Sequence, residues 1–201
     1  MRLFIAQALG GMVVALGLVA ATVAVAIPTS VWDRYSMALL GVGLFLLVAV
    51  LIPGVGHEVN GSRRWLRLGF MNFQASELAR VLLLTYVASY SVRRADELRS
   101  DFKGFLRPVA VLGVAAVLLL VEPDFGAATV LLTTSLAVLF LAGARIRHLL
   151  VPMVLGVAAK ALLAVTSSYR MRRLIAFRDP WQDPFDSGFQ LTQSLIATPP
   201  R

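Results

Sequence analysis

Apolar residues in this chain fall into long runs broken by short polar stretches, at roughly Leu3 to Ile27, Ser36 to Ile52, Leu78 to Val92, Leu106 to Val121, Ala127 to Leu141 and Leu149 to Val165. Each run is near the ~20 residues that carry a helix across a bilayer, the third and fifth being short. None alternates like a barrel strand, and backbone groups in lipid must be satisfied within their own segment, so helices are the expected elements. The pattern predicts an all-α, polytopic transmembrane helix bundle with about six spans. The first run is too long for a signal peptide, has no basic cluster ahead of it and leads straight into the next run, so it reads as a retained helix.

Composition agrees. Hydrophobic residues make up 58% of the chain and charged residues 15%, and the mean hydropathy is +0.79, values that exclude a soluble domain. There is no cysteine, hence no disulfide and no thiolate metal site. His57 and His148 lie far apart with no ligand spacing, which argues against a histidine metal centre.

Charge adds a question of sidedness. One alternating set of loops carries Arg34, then Arg93, Arg94, Arg99, Lys103 and Arg107, then Arg145 and Arg147. The other carries Arg63, Arg64 and Arg67, then Arg170, Arg172, Arg173 and Arg178. Basic residues are nearly balanced, so their number alone does not orient the protein. Their distribution is more telling: the first set lies in ordinary connectors and the second in loops rich in Trp, Gly, Pro and Asp. The first set is therefore expected in the cytoplasm, with the second retained outside for a purpose. The competing reading is that these arginines only anchor the helices at the membrane surface.

Within the second set, residues 54–76 interleave Trp65, Leu66, Leu68, Phe70 and Phe73 with Arg63, Arg64 and Arg67. That mixture predicts an amphipathic extracytoplasmic loop in the interface, with guanidinium groups at headgroup depth, where they match phosphate oxygens well. Glu77 and Arg80 follow at a spacing of three, either as a helix-start ion pair or as the polar lining of a cavity. Glu122 and Asp124 occupy a tight turn beside lipid, where carboxylates must be solvated, paired or buried in protein. Asp124 either caps the next helix or belongs to a site. In the last loop, prolines on both sides of Trp181 and Asp183 hold the chain in extended or turn geometry and display Asp179, Asp183 and Asp186 near several arginines. A carboxylate so placed is either part of a solvated acidic turn or a general base beside cations that stabilise a departing anion.

Three segments carry a resemblance. GSRRWLRLGFMNFQASELAR, VEPDFGAATVLLTTSLAVLFLAGAR and YRMRRLIAFRDPWQDPFDSGFQLTQSLIA resemble, in the same order, the signature motifs of the FtsW/RodA (SEDS) family, with the match closer to its FtsW branch. The resemblance covers nearly the whole chain up to about Ala197. It implies a peptidoglycan glycosyltransferase that polymerises lipid II at the outer face of the cell inner membrane, at the division septum. Implied partners are a class B penicillin-binding protein as transpeptidase and other divisome proteins; no nucleic-acid partner is expected. Carried over by position, the family's catalytic Asp falls on Asp183. Arg63, Arg64, Trp65, Glu77, Arg80, Glu122, Asp124, Arg172 and Arg173 become candidate substrate-binding residues. A divalent cation, magnesium or manganese, is a candidate cofactor with no ligands assigned.

Departures from the family pattern are also visible. Ala75 replaces a common Pro, and Asp186 stands where Gly is usual. The family has about ten spans, so residues 1–201 are expected to be a partial membrane domain, a fragment or truncated frame, with residues from 167 starting a large extracytoplasmic loop. The alternatives carried forward are a lipid II flippase, motivated by Glu77, Arg80, Glu122 and Lys160 in or beside spans, and a non-catalytic divisome scaffold.

Overall fold

A computed structural model of the chain describes residues 2–59, 62–68, 71–165 and 193. Among these, the apolar runs form helices α1 (Arg2–Ala26), α2 (Thr29–Leu51), α3 (Ala75–Arg93), α5 (Phe102–Val121), α6 (Phe125–Leu141) and α7 (Ile146–Val165). A short helix, α4 (Ala95–Ser100), fills the connector between α3 and α5. Residues up to Ile146 form one compact unit, whereas the remainder forms a second, of which α7 is the described part.

Buried positions show how the first unit packs. On α2 the main stripe is Ser36, Leu40, Gly43, Leu47 and Val50, flanked by Ala49, and on α5 it is Phe105, Pro108, Leu112, Ala115 and Leu119, flanked by Gly104 and Ala116. Both stripes step by three and four, the spacing of a single helix face. α3 is the central helix, packed against α2, α5 and α6. At Gly43 a Cβ would sit 3.4 Å from both the Ala79 carbonyl and the Leu82 Cβ, so α2 and α3 approach at backbone level. Small residues permit this contact, and in lipid such close packing replaces the hydrophobic drive between helices.

The outer faces are apolar instead of polar. Val42, Phe45 and Val48 on α2 are exposed, as are Val114, Val117 and Val121 on α5. Apolar faces of this extent need lipid rather than water around them. Among the described residues, two helices, α2 and α5, are long and apolar enough on their own to cross a membrane. Central α3, with Glu77, Arg80 and several hydroxyl residues, is more polar because protein, not lipid, surrounds much of it.

Pro108 lies inside α5, and with no N–H it leaves the Gly104 carbonyl without its helical donor. The Tyr90 hydroxyl donates to that carbonyl at 2.7 Å. A Cβ on Gly104 would come within 2.4 Å of the Glu97 carbonyl oxygen, so glycine also lets α4 fold back onto α5.

The main departure from expectation is at residues 54–76. Instead of an amphipathic loop there is a three-stranded antiparallel meander of β1 (Gly56–Val59), β2 (Ser62–Leu68) and β3 (Met71–Gln74). Val59 pairs with Ser62, and the sequence places Asn60-Gly61 between them, the strongest two-residue hairpin signal. The charge and aromatic content of the segment hid that signal. Strand pairing also satisfies backbone groups that a lone interfacial loop would leave to water or headgroups.

Candidate functional site

β3 runs directly into α3. Gln74 ends the strand and is the N-cap position of the helix, and Ala75 is its first residue. That first helical position also suits proline, whose missing N–H is not needed there. The Ala75 departure therefore leaves the local geometry intact, and Ala75 is fully buried.

Here the chain joins its second motif. Gln74 Nε2 donates to Asp124 Oδ2 at 3.0 Å, and Ser76 Oγ donates to the same oxygen at 3.1 Å. Gln74 Nε2 also lies 3.0 Å from Ser76 Oγ. The other carboxylate oxygen, Oδ1, accepts from the Ala127 backbone N–H at 3.0 Å and so caps α6. Both carboxylate oxygens of Asp124 are thus engaged by protein donors, so the capping reading is realised and both motifs are tied to one buried group. Sequence reasoning missed Gln74 and Ser76 as functional positions. The available signal was their place on either side of Ala75 in the FQAS motif, but nothing local pairs that motif with a residue about fifty positions away.

Glu122 differs sharply from Asp124. It extends the buried stripe of α5 by one more step past Leu119, in the turn that follows the helix, and it has no exposed surface. Among the described residues, neither carboxyl oxygen has a hydrogen-bond partner. Burial pushes its carboxyl up to about 8, with the neighbouring Asp124 acting in the same direction and Arg64 opposing. Arg64 on β2 is partly covered, and its Nε is likewise buried without a hydrogen-bond partner among the described residues. Arg64 has no partner in the β1–β2 register, which shifts between Trp65, paired with His57, and Arg63, paired with Glu58, so Arg64 is the extra residue of a β-bulge. Trp65 is also partly buried, with its backbone paired to His57 and Gln74.

Glu77 and Arg80 form the ion pair expected from their spacing. Glu77 is mostly exposed and Arg80 largely covered, and among the described residues this pair shares no hydrogen bond with the Asp124 cluster. Arg63 lies on β2 opposite Glu58. Asp183, Arg172 and Arg173 lie outside the described residues, as does the rest of the last loop apart from residue 193. The described residues contain no group of three or more His, Cys, Asp or Glu side chains that could hold a metal ion. Their donor set therefore does not fit a divalent cation by itself.

A junction between an FQAS strand-to-helix turn and an EPDFG helix cap points to relatives in which both occur. The family model for FtsW, RodA and SpoVE, described as a cell cycle protein family, matches residues 2–199. The chain belongs to this family. It is 54% identical over 92% of its length to a probable peptidoglycan glycosyltransferase FtsW of Thioalkalivibrio sulfidiphilus, and 54% identical over 91% to that of Saccharophagus degradans. It spans about half the length of these relatives, 46% and 47% respectively. Two solved structures share the fold. One belongs to work on structural coordination of polymerization and crosslinking by a peptidoglycan synthase complex, with a TM-score of 0.71, 34% identity, and 93% of this chain and 55% of that chain covered. The other is the rod shape determining protein RodA of Thermus thermophilus, with a TM-score of 0.63, 34% identity, and 76% and 48% covered. Family and fold together make this a polytopic helical membrane protein.

Proposed function

We propose that the protein is a peptidoglycan glycosyltransferase that polymerises lipid II into glycan strands. The reaction takes place at the outer face of the inner membrane, at the division septum, with a class B penicillin-binding protein as its transpeptidase partner. The observation that carries this reading is the junction of Gln74 and Ser76 with Asp124, in a chain about half identical to proteins named for that activity. The junction fixes the sheet against the end of the bundle and gives a rigid base to the segment that holds Arg63, Arg64 and Trp65.

In this reading Asp183 is the general base. It removes the proton from the acceptor sugar hydroxyl, whose oxygen forms the new glycosidic bond with inversion as the bond to the lipid diphosphate breaks. Arginines of the two extracytoplasmic loops, Arg63 and Arg64 with Arg172 and Arg173, hold the diphosphate as it leaves. A magnesium or manganese ion bound with the substrate would add charge stabilisation.

A flippase would need polar groups continuing through the bilayer. The buried middle of the first unit is instead lined mainly by Leu47, Leu83, Leu112 and Leu131, and the polar groups there among the described residues are the uncharged hydroxyls of Ser135 and Tyr86. That favours catalysis at one end over transport.

The test is polymerisation of lipid II by the full-length protein purified with its transpeptidase partner, scored as glycan strands on a gel. Asp183→Asn is expected to lose about a hundred- to ten-thousand-fold in rate, with Asp179→Asn and Asp186→Asn losing far less. Equal loss in all three, or retained activity in the Asp183 variant, overturns the assignment.

A further inference from the structure

The start of α5 carries a cavity far from the sheet. Among the described residues, Lys103, Leu106, Arg107 and Ala110 line an open cavity of about 310 Å³. Their spacing of three and four puts them on one helix face, and all four are exposed. The two cations in it are only partly neutralised. Glu97 takes Arg94 on one carboxylate oxygen and Arg107 on the other, the latter at 2.8 Å, so one negative charge is shared by two guanidinium groups. Asp101 accepts from the Lys103 backbone N–H at 3.2 Å and caps α5. The Lys103 ammonium has no carboxylate partner among the described residues. A positive charge is therefore left in the cavity beside Arg107, which is 59% exposed.

Beyond the cations the same face turns apolar. Ala110, Gly113, Val114, Val117 and Val121 are exposed, and the space where Gly113 would carry a Cβ is open. The surface is thus low at Ala110 and Gly113, between Leu106 and the valines. From Arg107 to Val117 the helix rises about 15 Å, the depth of one hydrocarbon leaflet.

We infer that this face of α5 binds one anionic phospholipid, with its phosphate held by Lys103 and Arg107 and an acyl chain lying along Ala110, Gly113 and Val117. Charge decides the headgroup, since a zwitterionic lipid brings its own cation to a cavity that already holds an excess of them. A soluble phosphate matches the cations but leaves the apolar strip without an occupant. An apolar partner helix fills the strip but leaves Lys103 uncompensated. Basic residues that only snorkel at the membrane surface share no cavity and select no particular lipid. The inference does not depend on the proposed function.

Native mass spectrometry of the full-length protein, released from detergent containing dioleoyl phosphatidylglycerol or dioleoyl phosphatidylcholine, counts the lipids retained. The acyl chains are the same, so a difference reports the headgroup. One phosphatidylglycerol is expected to be retained about tenfold over phosphatidylcholine. Lys103→Gln and Arg107→Gln should each lower its retention about fivefold, the weight of one basic residue beside an anionic headgroup. Ala110→Phe keeps both charges and fills the strip, and should also lower it. Arg34→Gln and Arg145→Gln remove exposed cations outside the cavity and should retain lipid as wild type does. All of these positions are exposed, so the variants should unfold near the wild-type midpoint. Equal loss in the Arg34 and Arg145 variants would reduce the effect to overall charge and overturn the inference. Unchanged retention in Ala110→Phe, or displacement of the lipid by glycerol phosphate, would make the cations a site for soluble anions and overturn it too. Equal retention of the two lipids would leave the face to a partner helix, with the same result.

Discussion

The two ends of the helical unit solve the problem of charge beside a membrane in opposite ways. At the end where α2 begins and α3 finishes, charges pair near the surface. Arg93 Nε lies 3.4 Å from Asp33 Oδ1, and Arg93 Nη2 donates to Ser36 at 2.9 Å. Ser89 also donates to Asp33. Glu97 accepts from Arg94 and, at 2.8 Å, from Arg107. The charged side chains of these pairs are about half exposed, while Ser36 and Ser89 are buried, so water shares the burden and each ion pair contributes little. At the sheet end the Glu77–Arg80 pair is likewise open to the surface, but two carboxylates are buried: Asp124 is satisfied by three protein donors, and Glu122 by none among the described residues. The first arrangement is what a stable membrane helix bundle requires. The second includes an uncompensated buried group of the kind that marks functional sites.

If the contrast is right, the largest loss of stability comes from removing the satisfied buried group. Asp124→Leu takes away the α6 cap and strands Gln74 and Ser76, at a cost of about 3 kcal/mol. Thermal unfolding in detergent measures it, and a cost no greater than that of a surface charge would erase the difference between the ends.

Glu122 gives the contrast a pH signature. Its carboxyl stands at about 8 in the fold against an ordinary 4.5, so the native state binds the proton more tightly than the unfolded chain. Stability is then greatest below the ordinary value, falls as pH rises between the two, and levels off above about 8. In Glu122→Gln this slope should disappear from unfolding midpoints measured across that window. A slope unchanged in the variant would assign it to other groups.

At the opposite end, backbone packing and not charge should be the sensitive feature. Gly104→Ala drives a methyl group into the Glu97 carbonyl, and an overpacking cost of about 2 kcal/mol is expected. Arg107→Gln, which breaks the exposed pair with Glu97, should change stability by only ~0.5 kcal/mol or less. Both are read by the same unfolding measurement, and a larger loss in the arginine variant than in the glycine variant would reverse the reading of that end.

Much of the architecture was already legible in the sequence. Helix number and approximate bounds follow from apolar run length, because a span in lipid must satisfy its own backbone and therefore declares itself locally. The Glu77–Arg80 pair and the Asp124 cap were also readable, since both depend on neighbours within one helical turn. The sheet was signalled by Asn60-Gly61 but masked by the arginines and aromatics around it.

Only the tertiary structure decided the rest. That Gln74 and Ser76 meet Asp124, that Tyr90 satisfies the Gly104 carbonyl left free by Pro108, and that Glu122 is fully buried all depend on helix packing. Periodicity tells which face of a helix is buried; it does not tell which residue of another helix that face will meet. Glu122 and Asp124 are two positions apart and chemically alike, yet one is saturated with donors and the other has none. That difference comes from the three-dimensional arrangement of α3, α5, α6 and the sheet, and from nothing local to either residue.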